Sequence, residues 1–307
     1  MSPQHTHPGI VVGVDGSTSS MVAVEWAARD AEMRNVTLKV VHIVGPVVVA
    51  SDGWSDIPAP GDYAQWREDQ ARQVVEQAYQ LALAAGVPSR APRVTTEVIL
   101  QAPIVPTMVE LSKQAEMVVV GCRGQSAVAS ALLGSVSSGV VHRAHCPVTV
   151  VHDEDPLMAR SPQAPVVVGV DGSPTSQLAT EIAFDEADRR GVGLIALHAW
   201  SDMGPVDFAS MNWAPIEWRN IQDQEEEVLA ERLCGYQDRY PDVAVHKIVV
   251  SDRPAPRLLE QAQTAQLVVV GSHGRGGFPG MLLGSVSRAV VNSARIPVIV
   301  ARMPRRD

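Results

Sequence analysis

Two glycine–serine patterns of identical spacing lie 150 residues apart in this chain. The first reads Gly121-Cys-Arg-Gly124, nine residues, then Gly134-Ser135. The second reads Gly271-Ser-His-Gly274, nine residues, then Gly284-Ser285. Glycine pairs let the backbone turn tightly and bring amide N–H groups close to a ligand. A helix that opens at Gly134-Ser135 or Gly284-Ser285 offers unpaired N–H groups and a partial positive charge, which suit a phosphate. The hydroxyls of Ser135, Ser137, Ser285 and Ser287 can add hydrogen bonds. Seen once, a Gly-Ser helix start means an N-cap and no more. Recurrence after a fully apolar strand in each half favours a ligand, so two nucleotides, one per half, are expected.

Asp15 and Asp171 close the first apolar run of each half, in Val-Gly-Val-Asp-Gly-Ser. Such a carboxylate can accept hydrogen bonds from ribose hydroxyls or adenine N–H groups. It can equally fix an Asp-Gly turn or cap the next helix. A P-loop is absent, and no lysine lies near either glycine loop, which argues against that class of NTPase. The first turn is Gly13-Val-Asp15-Gly16, and strand two ends in His42-Ile43 without an acidic group. That argues against a dinucleotide-dependent dehydrogenase. His42 and His198 recur in register and read as packed strand histidines. Arg123 is replaced by His273, and Gln125 by Arg275; these either touch phosphates or are solvated loop side chains. The second loop is richer in glycine, so its site is expected to bind more tightly. No residue presents itself as a general acid or base for phosphoryl transfer.

Alternating apolar runs and amphipathic segments must position these groups. In the first half, Ile10–Val14 reads as a strand, followed by a helix from Ser17 to Arg34 capped by Ser17. Thr37–Val44 is strand two, residues 45–62 a long Pro/Gly/Ser/Asp-rich loop, and Tyr63–Ala85 a helix stopped by Gly86. Val94–Ile99 is strand three, Pro106–Gln114 a short helix, and Met117–Gly121 strand four. Ser135–Arg143 is a helix and Val148–Val151 strand five. The second half repeats the order. Strict alternation implies a parallel sheet with helices on both faces. Val118–Val120 and Val268–Val270, apolar throughout, read as strands buried on both faces. In such sheets ligands bind beyond the carboxyl ends of the strands, where strand order reverses. The loops after strands one and four meet there.

The duplication extends across the chain. Val11–Ser17 matches Val167–Ser173 at an offset of 156, and Leu132–Ser137 matches Leu282–Ser287 at 150. With 307 residues, the chain divides into domains at 1–153 and 164–307, joined by a Pro-rich linker at 154–163. Net charge is −9, and the lysines are Lys39, Lys113 and Lys247, against general nucleic-acid binding. No apolar run is long enough to cross a bilayer. The N-terminus lacks the pattern of a signal peptide. The cysteines Cys122, Cys146 and Cys234 do not recur between halves and read as reduced thiols of a cytoplasmic protein. His145-Cys146, matched by Arg295-Ile296, carries no metal-site spacing. The loops holding Trp54 and Trp213 are candidate lids or partner surfaces; alternatively the tryptophans pack on the sheet edge.

Taken together, Gly-x2-Gly-x9-Gly-Ser and Val-Gly-Val-Asp-Gly-Ser resemble the universal stress protein family in its tandem, ATP-binding form. Trp26-Ala-Ala-Arg-Asp-Ala-Glu32 and the Leu-Leu-Gly-Ser-Val-Ser runs are similar in style to mycobacterial members. The resemblance covers nearly the whole chain. It implies two Rossmann-like domains of the adenine nucleotide alpha hydrolase type, each an open five-stranded parallel sheet of order 3-2-1-4-5. By that resemblance Asp15 holds the ribose and the backbone at Ile43 meets adenine, while Gly121, Gly124, Gly134, Ser135, Val136 and Ser137 line the phosphates. The matching set is Asp171, Ala199, Gly271, Gly274, Gly284, Ser285, Val286 and Ser287. Mg²⁺ accompanies the nucleotide, and a homodimer and a regulatory protein partner are implied. The expected function is nucleotide-dependent regulation of stress response, dormancy or growth. Alternatives are a slow ATP hydrolase or adenylyl-transfer enzyme, and a structural dimer with vestigial sites.

Overall fold

Five β-branched or small residues without a charge, Ile10–Val14, form the first strand, β1. Ser17 then stops the extended chain and starts α1 (Thr18–Arg34): its Oγ accepts from the N–H of Ser20. Asn35, at φ 56°, ends that helix in the left-handed conformation that asparagine tolerates. The inner face of α1 is almost all small: Ala23, Val24, Ala27, Ala28 and Ala31 are buried. A helix with so little side-chain bulk on one face lies close to the sheet.

The computed structural model describes residues 9–46, 61–86, 93–124, 133–152, 161–200, 215–275 and 283–303. The Trp54 and Trp213 loops, Gln125, the middle of both glycine loops and most of the linker lie outside them. After α1 come β2 (Leu38–Val44), α2 (Gly61–Ala85), β3 (Val94–Leu100) and α3 (Ile104–Leu111). Then follow β4 (Met117–Gly121), α4 (Ser135–Arg143) and β5 (Val148–Val151). The second unit holds β6 (Val166–Gly169), α5 (Pro174–Arg190), β7 (Leu194–Ala199), α6 (Pro215–Leu233) and α7 (Tyr236–Arg239). It continues with β8 (Val245–Val250), α8 (Pro254–Ala262), β9 (Leu267–Gly271), α9 (Ser285–Ser293) and β10 (Val298–Ala301).

Within the first unit the strands pair in the order β3-β2-β1-β4-β5, all parallel. Within the second they pair as β8-β7-β6-β9-β10, again all parallel. Counted from the start of each unit, both orders are 3-2-1-4-5, with the reversal between the first and fourth strands. β4 is buried at every position, as are Leu267–Val270 of β9, because helices cover both faces. The described residues up to 152 belong to one compact unit and residues 161–303 to another.

Element ends differ slightly from the sequence pattern. β2 begins at Leu38, although the Thr37 carbonyl still accepts from the N–H of Ile10 at 3.0 Å. α2 already starts at Gly61, and β3 reaches Leu100. α3 spans Ile104–Leu111, where the pattern suggested Pro106–Gln114. Pro106 sits in its first turn, where the missing N–H has no intrahelical partner to lose. Ser112, Lys113 and Gln114 follow as tightened turns, with Lys113 N–H donating to Glu110 and Gln114 N–H to Leu111. The short helix α7 has no signal of its own. It exists because Tyr236 and Tyr240 stack on Phe184 of α5, with ring centroids 5.0 and 5.6 Å away.

Candidate functional site

At the strand-order reversal, the loop after β1 meets the loop after β4, and a cavity of about 420 Å³ opens between them. The second unit has a cavity of the same volume at the matching place, about 420 Å³. Asp15, Ile43, Gly121, Gly124, Gly134, Ser135, Val136 and Ser137 all line the first. Asp171, Ala199, Gly271, Gly274, Gly284, Ser285, Val286 and Ser287 all line the second. Residues scattered over more than 100 positions in each half thus converge on one volume.

The two carboxylates do two things at once. Asp15 Oδ1 accepts from the N–H of Ser17 at 2.9 Å and from Ser17 Oγ at 2.6 Å. Asp171 Oδ1 accepts from the N–H of Ser173 at 2.8 Å. One oxygen therefore shapes the turn. The other faces the glycine loop: a Cβ placed on Gly124 would lie 2.6 Å from Asp15 Oδ2, and one on Gly274 2.6 Å from Asp171 Oδ2. The oxygen that holds the turn and the oxygen that faces the glycine loop are different atoms of the same group.

The motif glycines also differ in what they accommodate. A Cβ on Gly121 would meet backbone atoms of Ser19 at 2.7 Å, and one on Gly271 the Thr175 carbonyl carbon at 2.9 Å. These two let β4 and β9 pass against the first turns of α1 and α5. The N–H groups of Gly134 and Gly284 donate to the carbonyls of Cys122 and Ser272 at 2.8 Å, tying each helix start back to its strand. Gly134 and Gly284 are themselves the N-caps, without a side-chain capping bond. Ser135 and Ser285 are the first helical residues and are exposed at the cavity. The N–H groups of that first turn have no intrahelical acceptor and point along the helix axis into the cavity. Ser137 Oγ donates to the Gly121 carbonyl at 2.6 Å, and Ser287 Oγ donates to that of Gly271. Their hydrogens hold the loop; their lone pairs remain as acceptors.

Several wall residues were not singled out by the sequence. Met108 of α3 lies under Gly13, whose Cβ would come 3.1 Å from its Cε. Leu258 of α8 lies under Gly169 at 3.2 Å by the same measure. The recurrence of Gly13 and Gly169 within β1 and β6 was the available signal. The first cavity has Ile104 and Met108 at its apolar end; the second has Trp200, Pro254 and Leu258. Behind Pro254, Asp252 is held below the usual carboxylate range, first by the Arg253 N–H at 2.6 Å and then, against burial, by Arg257 at 2.8 Å.

The recurring histidines brace the strands. His42 Nδ1 donates to the Val14 carbonyl at 2.7 Å, and His198 Nδ1 to that of Val170 at 2.6 Å. Each bond locks the residue just before the site aspartate. His198 is fully buried, and its Nε2 faces Glu225 Oε2 at 3.0 Å. Arg232 Nη1 stands 3.4 Å from His198 Nδ1, whose hydrogen is already engaged by Val170, so this is a close approach without an acceptor. Burial, then the neighbouring Arg275, hold Arg232 below the ordinary arginine range; Glu225 and Asp171 oppose them. Among the described residues, no cluster of three histidine, cysteine or acidic groups could hold a metal. No helix there is long and apolar enough to cross a membrane.

The Universal stress protein family model matches residues 9–152 and again residues 164–302. The chain belongs to the universal stress protein family. It is similar along its whole length to a universal stress protein of Mycobacterium tuberculosis (strain H37Rv), at 65% identity over 99% of this chain and 98% of the relative. A second from that strain is 52% identical over 98% of this chain and 99% of its own. Among solved structures, a universal stress protein from Archaeoglobus fulgidus superposes with a TM-score of 0.65 at 24% identity. That match covers 96% of this chain and 98% of the other, and shows a shared fold. Each matched stretch thus contains one of the two cavities, at the strand-order reversal of its unit.

Proposed function

We propose that this universal stress protein binds one adenine nucleotide in each unit, ATP with Mg²⁺, and acts as a nucleotide-dependent regulator of stress response, dormancy or growth. One observation carries the reading. Two cavities of equal volume each pair an apolar end with a polar end made of a glycine loop and a helix start. Their volume lies in the range of roughly 300–1,000 Å³ typical of small-molecule sites. A base fits the apolar end beside Ile43 or Ala199, and the ribose reaches Asp15 or Asp171. The phosphates then meet the loop amides at Gly124 and Gly274 and the first turns of α4 and α9. Among the described lining residues Asp15 and Asp171 are the acidic ones, one per cavity, so Mg²⁺ would take its ligands mainly from phosphate oxygens and water.

The site carboxylates support retention of a ligand. Each commits one oxygen to its own turn and holds the other toward the glycine loop, where it can accept from a ligand hydroxyl. A homodimer, a protein partner and a cytoplasmic location belong to the same proposal. Acid extraction of purified protein, with mass spectrometry of what is released, tests it. Two adenine nucleotides per chain are expected, together with a thermal shift on adding ATP and Mg²⁺. Protein that carries no nucleotide and shows no shift overturns the proposal. Steady phosphate release far above an Asp15→Ala/Asp171→Ala control would favour an enzyme instead.

A further inference from the structure

Each cavity has an arginine in its lining, at different places: Arg123 directly before Gly124 in the first, Arg275 directly after Gly274 in the second. Arg275 directly follows Gly274, lines the second cavity, and donates from Nε to the main-chain oxygen of Asp171. It is exposed. Arg232 approaches the same turn from α6: a Cβ on Gly172 would lie 2.8 Å from its Nε and 2.9 Å from its Cζ. Gly172 has φ +81°, and its bare Cα makes room for the guanidinium. Two cations therefore converge on one turn, one at the mouth and one partly buried behind it. The repeat offset places neutral Gln125 opposite Arg275, while Arg123 of the first unit takes the place of His273.

We propose that Arg275, backed by Arg232, makes the second cavity discriminate nucleotides by phosphate number, preferring ATP over AMP. The proposal rests on the reading that both cavities hold adenine nucleotides. A single phosphate is already met by the helix start at Ser285 and the loop amides. Further phosphates extend to the mouth, where Arg275 can exchange a neutral carbonyl for an anionic oxygen, the stronger acceptor. An anion there also relieves the repulsion between the two guanidiniums. A charge-assisted bond of this kind corresponds to about ten-fold in affinity, a gain AMP does not share. Because Arg275 is exposed, the preference should weaken as salt screens it.

Trp200 lines the second cavity, and its counterpart by the repeat is Val44. Tryptophan fluorescence, with Trp200→Phe as the reference, therefore reads the second site within the full chain. ATP and AMP are titrated into wild type, Arg275→Gln and Arg275→Lys. Arg275→Gln is expected to weaken ATP about ten-fold and AMP less than about two-fold, and Arg275→Lys to retain part of the preference. Equal weakening of ATP and AMP would overturn the proposal, because it marks Arg275 as a clamp on the Asp171 turn alone. An unchanged ATP-to-AMP ratio overturns it too. Absence of any response to either nucleotide, by fluorescence and by thermal shift, sinks the nucleotide reading itself.

Discussion

Gly121 and Gly124 belong to one motif, yet a methyl group would do different damage at each. On Gly124 it would strike a carboxylate oxygen of Asp15 at 2.6 Å, and on Gly274 one of Asp171 at the same distance. A side-chain tip can swing away, so Gly124→Ala and Gly274→Ala should leave the fold standing and displace the carboxylate. Nucleotide affinity of the altered unit should drop at least about ten-fold with little change in unfolding free energy. On Gly121 the methyl would meet Ser19 backbone at 2.7 Å, and backbone cannot rotate aside. Gly121→Ala should therefore cost stability, about 1–3 kcal/mol by the scale of overpacked cores. Denaturant unfolding and nucleotide titration of both variants check the contrast; the reverse pattern would show that the roles of the two glycines are misassigned.

At the scale of elements, the helix starts carry the site. Ser173 Oγ accepts from the N–H of Ser176 and donates to the His273 carbonyl at 3.3 Å, so one hydroxyl caps α5 and pins the loop after β9. Ser173→Ala should lower stability by about 1 kcal/mol, the usual loss of an N-cap, seen as a shifted denaturation midpoint at constant slope. A second expectation belongs to α7 and its contact with α5. Tyr240 Oη donates to Asp185 Oδ1 at 2.6 Å. Burial first, then that bond, push the Tyr240 hydroxyl up to about 12 from an ordinary 10.0. The folded state thus keeps a proton that the unfolded chain releases earlier. The resulting stabilisation is intact below the ordinary tyrosine range and is lost as pH rises from about 10 towards about 12. Unfolding measured near pH 9 and near pH 11.5 should show a larger loss in wild type than in Tyr240→Phe, in which Tyr236, also raised by burial, still contributes. The sequence marked α5 clearly through its capping serine and amphipathic spacing. It left α7 unmarked, because four residues have no periodicity and hold their shape against α5, by stacking on Phe184 and by bonds such as Arg239 to Glu181.

For the molecule as a whole, the duplication reaches into the core. Asp30 pairs with Arg34 at 2.6 Å in α1, and Glu186 with Arg190 at 2.8 Å in α5, both carboxylates fully buried. Such pairs matter most when broken, since one buried charge is then left without its partner. Each unit therefore has its own five parallel strands, its own buried ion pair and its own cavity. Ligand that binds only the folded protein should stabilise it by about 2.7 kcal/mol per site at a hundred-fold excess over the dissociation constant. Calorimetry at rising ATP should show the unfolding temperature climbing. With Asp171→Ala the climb should shrink without vanishing, because the first cavity is left intact; a complete loss would contradict two independent sites.

The sequence by itself determined the architecture and named residues that line each cavity. Alternating periodicities dictate a parallel sheet, apolar runs dictate burial on both faces, and the repeated glycine spacing names residues that do line one cavity per unit. These follow from local rules that operate over a few residues. Only the tertiary structure decided what each named group faces. It assigned one oxygen of Asp15 to the turn and the other to Gly124, and directed the Ser137 and Ser287 hydrogens to strand carbonyls. It also brought Arg232 of α6 beside Gly172, some sixty positions away in the chain. Those outcomes depend on approach distances between elements remote in sequence, where a few tenths of an ångström separate contact from collision, and no pattern of residue types encodes them.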